Sequence, residues 1–78
     1  SVAAVDAAII IGGRIGTMNE FTIAYDLGKV IGILEGSGGI SDRAIKIMLE
    51  DINKETGATV IFESDPVKLV KLLLQHLA

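Results

Sequence analysis

Three short apolar runs divide the chain into similar units, and each run is followed by a segment that can form a helix. The runs are Ala7–Ile11, Val30–Leu34 and residues 58–62. The first run is continuously apolar and does not alternate with polar residues. Its isoleucines favour a strand that is covered on both faces, as strands of parallel sheets are. The pattern therefore predicts three buried β-strands.

The segments after these runs predict three helices. They cover, approximately, residues 17–27, 41–56 and 64–77. The second segment is clearly amphipathic, because its apolar residues recur every three or four positions with charged residues between them. Gly28 and Gly57 stand where glycine commonly stops a helix, so we expect the first two helices to end there.

Residues that can cap a helix stand at the expected starts of the second and third helices. Ser41 or Asp42 is predicted to cap the second helix. In Ser64-Asp65-Pro66, an N-cap candidate precedes a proline at the first helical position. These residues predict where both helices begin.

The order of the predicted elements is β-α-β-α-β-α, which is typical of α/β proteins built from βαβ units. We predict a Rossmann-like three-layer parallel sheet, with residues 1–78 forming a single partial domain, one half of a doubly wound domain. Right-handed crossovers that continue in one direction place their helices on the same face. Since both faces of the strands are apolar, we expect the remainder of a longer chain or another subunit of a homo-oligomer to cover the second face.

Composition narrows the classes of function. The chain has 78 residues, half of them hydrophobic, with a mean hydropathy of +0.56 and a formal net charge of −3. This composition excludes a disordered acidic tail, and the seven scattered Lys and Arg residues predict no nucleic-acid partner. No apolar run approaches the ~20 residues of a membrane span, so we expect no membrane partner and a cytoplasmic location.

Cysteine is absent from the chain. Its absence rules out disulfides, thiolate metal sites and a cysteine nucleophile. We predict no bound metal.

The most informative stretch lies between the first strand and the first helix, where residues 12–20 read Gly-Gly-Arg-Ile-Gly-Thr-Met-Asn-Glu. Glycine lets a backbone approach a ligand closely, and the free N–H groups of a first helical turn direct partial positive charge toward an anion. Parallel α/β proteins hold phosphate at such junctions. The residues predicted to bind phosphate or nucleotide here are Gly12, Gly13, Arg14, Gly16 and Thr17.

This stretch resembles the signature of the LOG (Lonely Guy) family, once labelled possible lysine decarboxylases, which reads Pro-Gly-Gly-x-Gly-Thr-x-x-Glu. The matching positions are Gly13, Gly16, Thr17 and Glu20. Gly12 stands in place of the proline, and Arg14 in place of the second glycine. The resemblance continues through residues 24–29 and the Gly36-Ser-Gly-Gly39 loop, and it covers the C-terminal half of such a protein.

The resemblance implies a Rossmann-like nucleotide-binding fold that is usually dimeric. Some members remove the base from a nucleoside 5′-monophosphate, which would make Glu20 catalytic and place the 5′-phosphate on Thr17 and the neighbouring amides. The broader superfamily also includes carriers resembling the molybdenum cofactor carrier, which bind ligands without hydrolysis. The lysine decarboxylase label implies a Schiff-base lysine, but nothing around the lysines here points to one, so we predict no cofactor.

Glu20 and Thr17 also have a purely structural interpretation. Thr17-x-x-Glu20 fits a capping box, in which each side chain accepts a hydrogen bond from a backbone amide of the other residue. If Glu20 is instead catalytic, its carboxylate suits N-glycosidic cleavage, because it can stabilise positive charge near C1′ and position or deprotonate water. Both interpretations stay open at the level of sequence.

Arg14 and the second glycine-rich loop have alternatives of the same kind. The Arg14 guanidinium can add a bidentate phosphate contact, fill the space that a glycine leaves for a sugar, or remain solvated. Gly38 and Gly39 follow the second strand, where open α/β sheets bind ligands, and are predicted to contact the nucleotide. The alternative for residues 36–39 is a flexible loop.

Four other residues are weaker candidates. Asp42 is interpreted as a helix cap, with a ribose-hydroxyl contact as the alternative. Phe21 and Tyr25 are interpreted as packing or interface residues, since each lies inside the first helix. His76 falls in the last turn of the third helix and is assigned no function.

Overall fold

The computed structural model describes residues 5–78, and its centre is a parallel sheet of three strands. The strands are β1 (Ala7–Ile11), β2 (Val30–Leu34) and β3 (Thr59–Glu63). The helices are α1 (Ile15–Asp26), α2 (Ala44–Ile52) and α3 (Pro66–Leu77), and a short 3-10 helix spans Gly39–Ser41. The predicted β-α-β-α-β-α order and the Rossmann-like α/β class are confirmed.

The strands pair in the order β1-β2-β3, so the chain advances across the sheet in one direction. Ile10, Ile33 and Phe62 lie level with one another, as do Ile9, Gly32 and Ile61. Residues paired in this way share a face of the sheet, and successive residues alternate between faces. The sheet therefore has one face that contains Ile33 and another that contains Gly32.

The face that contains Ile33 is covered by α1 and α2. Ile31 and Ile33 have no exposed surface, and they form one core with Phe21 and Ala24 of α1 and Ile45 of α2. Both helices lie on this face because each belongs to a right-handed crossover between neighbouring strands, as the sequence predicts.

The opposite face is covered in part by α3, and here the expectation that this chain supplies helices on one face only is wrong. Leu69 and Leu73 of α3 are buried over Gly32. A Cβ at Gly32 would lie 2.9 Å from Leu73 Cδ1 and 3.0 Å from Leu69 Cδ1, so glycine lets α3 approach the sheet closely. The crossover rule does not constrain α3, because no strand of this chain follows it.

The cover that α3 provides extends over β2 and β3 but leaves β1 open. Ile9 and Ile11 point to the same face as Gly32, and they are 44% and 63% exposed. The free edge of β1 and this open part of its face agree with the prediction of half of a larger domain. No helix of residues 5–78 is long and apolar enough to cross a membrane.

The predicted limits of α1 and α2 require correction. Helix α1 begins at Ile15, two residues before the predicted start. Neither Ser41 nor Asp42 caps α2, whose N-cap is Arg43. The same helix ends at Ile52 because Asn53 takes a left-handed conformation with φ 49°, well before Gly57.

The start of α3 follows the prediction. The Asp65 side chain accepts hydrogen bonds from the amides of Val67 and Lys68, and Pro66 occupies the first turn. Glu63, just before the turn, accepts from the Ser64 and Asp65 amides. These bonds, chiefly that from Asp65, and the nearby Lys68 ammonium hold the pKa of Glu63 below its ordinary value near 4.5, although burial acts in the opposite direction.

The position of α3 can be tested with two neighbouring leucines. Leu73 is 4% exposed, whereas Leu74 is 61% exposed. We expect Leu73→Ala to lower the free energy of unfolding by about 2–5 kcal/mol, because it leaves a cavity over Gly32. Leu74→Ala should cost less than about 0.5 kcal/mol. Urea denaturation at low protein concentration measures both, and equal losses would show that α3 does not pack through Leu73.

Candidate functional site

The predicted site residues lie at the carboxyl ends of β1 and β2. Ile11 and Leu34, the last residues of these strands, lie level in the sheet, so the loops that follow them start side by side. We call residues 12–14 the first glycine loop and residues 36–39 the second glycine loop. Ligands of open α/β sheets bind at this edge.

Hydrogen bonds join the first glycine loop to the second and to the 3-10 helix. The Gly12 amide donates to Ser37 Oγ at 2.8 Å, and Ser41 Oγ donates to the Gly12 carbonyl at 2.9 Å. The Ile40 amide donates to the Gly13 carbonyl at 3.0 Å. The two loops therefore form one connected structure, and the flexible-loop interpretation of residues 36–39 is not supported.

Close backbone packing explains two of the glycines. A Cβ at Gly39 would overlap the Gly13 carbonyl oxygen, and Gly39 has φ +53°. Gly13 has φ +98°, and a Cβ there would lie 2.6 Å from Thr17 Cγ2. Glycine at these positions lets the loops touch and lets Thr17 fold back over the turn.

The start of α1 leaves several donors available. The Met18 amide donates to the Arg14 carbonyl and closes the first turn. Within residues 5–78, the amides of Ile15, Gly16 and Thr17 have no acceptor, nor does the Thr17 hydroxyl make a hydrogen bond. Three free amides at a helix N-terminus form a site with partial positive charge.

The capping-box interpretation of Thr17 and Glu20 is wrong. The N-cap of α1 is Arg14, which has an extended backbone, and no side chain caps this helix. Thr17 is therefore the third residue of the helix and Glu20 the sixth. Because a capping box requires its hydroxyl at the N-cap, neither side chain is committed to helix capping.

Thr17 and Glu20 line a common cleft. It has a volume of about 300 Å³ and runs along the free edge of β1, where its remaining walls are Val5 and residues 8–11. Glu20 is exposed at this cleft and makes no hydrogen bond or ion pair within the described part of the chain. The cleft thus combines an apolar wall, a hydroxyl and one carboxylate.

The other predicted site residues surround this cleft without lining it. Arg14 and Gly16 are exposed at the start of α1. The Gly38 amide donates to Asp42 Oδ1 at 3.1 Å, so that amide is already used within the second glycine loop. The same bond gives Asp42 its structural role, in place of the predicted cap of α2.

Sequence reasoning missed the importance of Ser37 and Ser41. Ser41 is 1% exposed and was interpreted as a cap, while Ser37 was read only as part of a glycine-rich loop. The available signal was a small hydroxyl on either side of Gly38 and Gly39, next to the carboxyl end of a strand. Such hydroxyls commonly bond to nearby backbone groups.

A second cavity lies between the last turns of α1 and α2, away from the glycine loops. Its volume is about 240 Å³, and Tyr25, Met48 and Leu49 form part of its wall. The Tyr25 hydroxyl donates to the Lys54 carbonyl, and the Phe21 ring is fully buried beside Tyr25. These contacts confirm packing roles for Phe21 and Tyr25.

Two remaining predictions concern His76 and metals. His76 lies in the last turn of α3 as predicted, with Nδ1 2.9 Å from the Leu72 carbonyl oxygen. Within residues 5–78, no group of three His, Asp or Glu side chains is arranged to hold a metal ion.

Comparison with known proteins gives one match. A family model described as LDcluster4, the SLOG cluster4 family, matches residues 1–70. No curated protein and no solved structure matches the chain.

Proposed function

The chain belongs to the SLOG cluster4 family, and from this membership and the geometry of α1 we propose that it binds the phosphate of a nucleoside 5′-monophosphate or a similar phosphorylated small molecule. The SLOG superfamily includes LOG-like families, and membership indicates a nucleotide-related binding domain. The proposed activity is that of part of an N-glycosidase, a phosphoribohydrolase that releases the free base.

The observation that carries the proposal is the set of three unpaired amides at the start of α1. The phosphate would accept hydrogen bonds from the amides of Ile15, Gly16 and Thr17, and from the Thr17 hydroxyl. Anions bind at such helix N-termini because the free amides and the helix dipole act together. The dipole contributes about 0.3–2 kcal/mol.

The first glycine loop contributes mainly through its shape. The Gly12 amide is bonded to Ser37, so Gly12 would help by directing the turn rather than by donating to phosphate. Arg14 is exposed at the N-cap, from which its guanidinium can reach an anion on the same helix end. Gly38 and Gly39 form the adjoining wall of the site.

Glu20 is the proposed catalytic residue. It lies three residues after Thr17, so the two side chains share a helix face with a rise of about 4.5 Å between them. The carboxylate would take a proton from water as the water oxygen bonds to C1′, while the N-glycosidic bond breaks and its electron pair leaves with the base. Returning that proton to the base completes the reaction and leaves ribose 5-phosphate.

A carrier that binds a nucleotide or cofactor without hydrolysis is the second candidate. It is favoured by Arg14, which replaces a glycine of the LOG signature at the mouth of the site. It is also favoured by the presence of a single carboxylate in the cleft, since glycoside hydrolysis commonly uses a pair. The two candidates share the phosphate contacts and differ in the role of Glu20.

We further propose that a second copy or further chain covers the open part of the sheet. Four exposed apolar residues form a stripe on α3: Val67, Val70, Leu74 and Leu77. The stripe lies on the flank of α3 away from Lys68, which is 3.6 Å from Glu63 of β3. That flank faces β1, where Ile9 and Ile11 are exposed, so the two apolar surfaces adjoin.

Phosphate binding is tested by calorimetry with a nucleoside 5′-monophosphate and the matching nucleoside. We expect the monophosphate to bind more tightly, and Thr17→Val to weaken its binding about tenfold or more, because a hydrogen bond to a charged group is lost. Thr22→Val is the control, since the Thr22 hydroxyl donates to the Asn19 carbonyl. Equal affinity for the two ligands would remove the phosphate site.

Catalysis by Glu20 is tested by measuring release of free base from nucleoside 5′-monophosphates. Glu20→Gln should lower the rate by about 10²–10⁴, because glutamine cannot accept a proton from water. The melting temperature should stay unchanged, since Glu20 makes no contact that glutamine would break. Glu50→Gln, an exposed carboxylate of α2, is the control. An unchanged rate in Glu20→Gln would favour the carrier.

Coverage of the α3 stripe is tested on the 78-residue chain by light scattering and binding of an apolar dye. We expect the chain to associate or to bind the dye, and Leu74→Glu to reduce both, because a charge then interrupts the apolar surface. Gln75→Glu, on the polar flank of α3, should change neither. A monodisperse wild-type monomer that binds no dye would contradict the proposal.

A further inference from the structure

The hydroxyl of Ser37 bridges the ends of the two strands that carry the candidate site. It accepts a hydrogen bond from the Gly12 amide at 2.8 Å and donates one to the Leu34 carbonyl at 2.5 Å. Leu34 is the last residue of β2, and Gly12 is the first residue after β1. One side-chain oxygen therefore connects both strand ends.

This bridge continues the pairing of the sheet past its last paired residues. Ile11 and Leu34 are the final pair of β1 and β2, after which both chains turn away. The Ser37 hydroxyl supplies the acceptor for the next amide along β1, where β2 no longer offers a carbonyl. The direction in which Gly12 leaves the sheet is thereby set by a side chain of the neighbouring loop.

The opposite side of the same peptide group is held as well. The Gly12 carbonyl accepts from Ser41 Oγ, and Ser41 is almost completely buried. The Gly12 residue thus has its donor and its acceptor bound to two different hydroxyls. A residue fixed at both groups cannot rotate without breaking a hydrogen bond, and Gly13 and Arg14, which lead into α1, follow it directly.

From this arrangement we infer that Ser37 is a positioning residue for phosphate binding at the start of α1, an inference that rests on the proposed function. Ser37 would not touch the ligand. It holds Gly12 in the one conformation that aims the turn, so that the free amides of residues 15–17 meet the phosphate without a cost of ordering on binding. Removing the hydroxyl releases the loop and leaves those amides in place but less well oriented.

The experiment compares Ser37→Ala, Ser37→Thr and Ser64→Ala in the protein. Ser37→Ala removes the bridging hydroxyl, and Ser37→Thr retains one. Ser64→Ala is the matched control, since Ser64 follows β3 and its hydroxyl makes no hydrogen bond within residues 5–78. Two quantities are measured: amide hydrogen exchange at Gly12 by NMR without ligand, and affinity for a nucleoside 5′-monophosphate relative to the nucleoside.

We expect Ser37→Ala to speed exchange at Gly12 and to lower the preference for the monophosphate, each by about two- to tenfold, which corresponds to the loss of one hydrogen bond. Nucleoside affinity should not change. Ser37→Thr should restore both quantities, and Ser64→Ala should alter neither. A general loss of stability would not produce this pattern, because it would weaken both ligands together.

The outcomes separate the two proposals. If the wild type prefers the monophosphate and Ser37→Ala keeps that preference, the positioning role is overturned while the phosphate site stands. Failure of Ser37→Thr to restore the preference overturns the role of the hydroxyl in the same way. If the wild type shows no preference for the monophosphate, the proposed function fails and the positioning role fails with it.

Discussion

Parallel pairing of β1 with β2 places Ile11 level with Leu34 and so starts two loops side by side at one edge of the sheet. Two chains that leave a sheet together must satisfy their unpaired amides and carbonyls without a further strand. Here the hydroxyls of Ser37 and Ser41 take that role on both sides of Gly12. The geometry of the candidate site follows from this constraint, because α1 begins three residues later.

The hydrogen bonds at this edge divide the glycine loops by function. Groups that face between the loops are bonded to one another, including the Gly12 amide and the Gly13 carbonyl. The groups left without partners among residues 5–78 lie on the other side, at the start of α1 and in the cleft beside β1. Saturated donors stiffen a loop, whereas unsaturated ones are available to a ligand. The proposed phosphate site occupies the second kind of surface.

The cover of the sheet is complete on one face and partial on the other. Phe21, Ile33 and Ile45 close the first face, while α3 reaches only β2 and β3 on the second. The exposed part lies at β1, and the cleft that contains Thr17 and Glu20 runs along the free edge of the same strand. Any chain that completes the sheet there would also form a wall of the proposed site, so completion of the fold and formation of the site are linked.

The sequence by itself determined the elements whose signals are local. Continuous apolar runs identified the three strands, and the Asp65-Pro66 pair identified the start of α3, because a cap acts on amides only two or three residues away. The glycine-rich junction was also visible, since its composition is local. Tertiary structure alone decided which residue caps α1, which face α3 covers and what Ser37 and Ser41 bind. Those outcomes depend on partners 25 to 31 residues distant for the two serines, and on the fit of Leu69 and Leu73 over Gly32 for α3. No pattern within one segment reports such a contact, because its energy exists only once the segments meet.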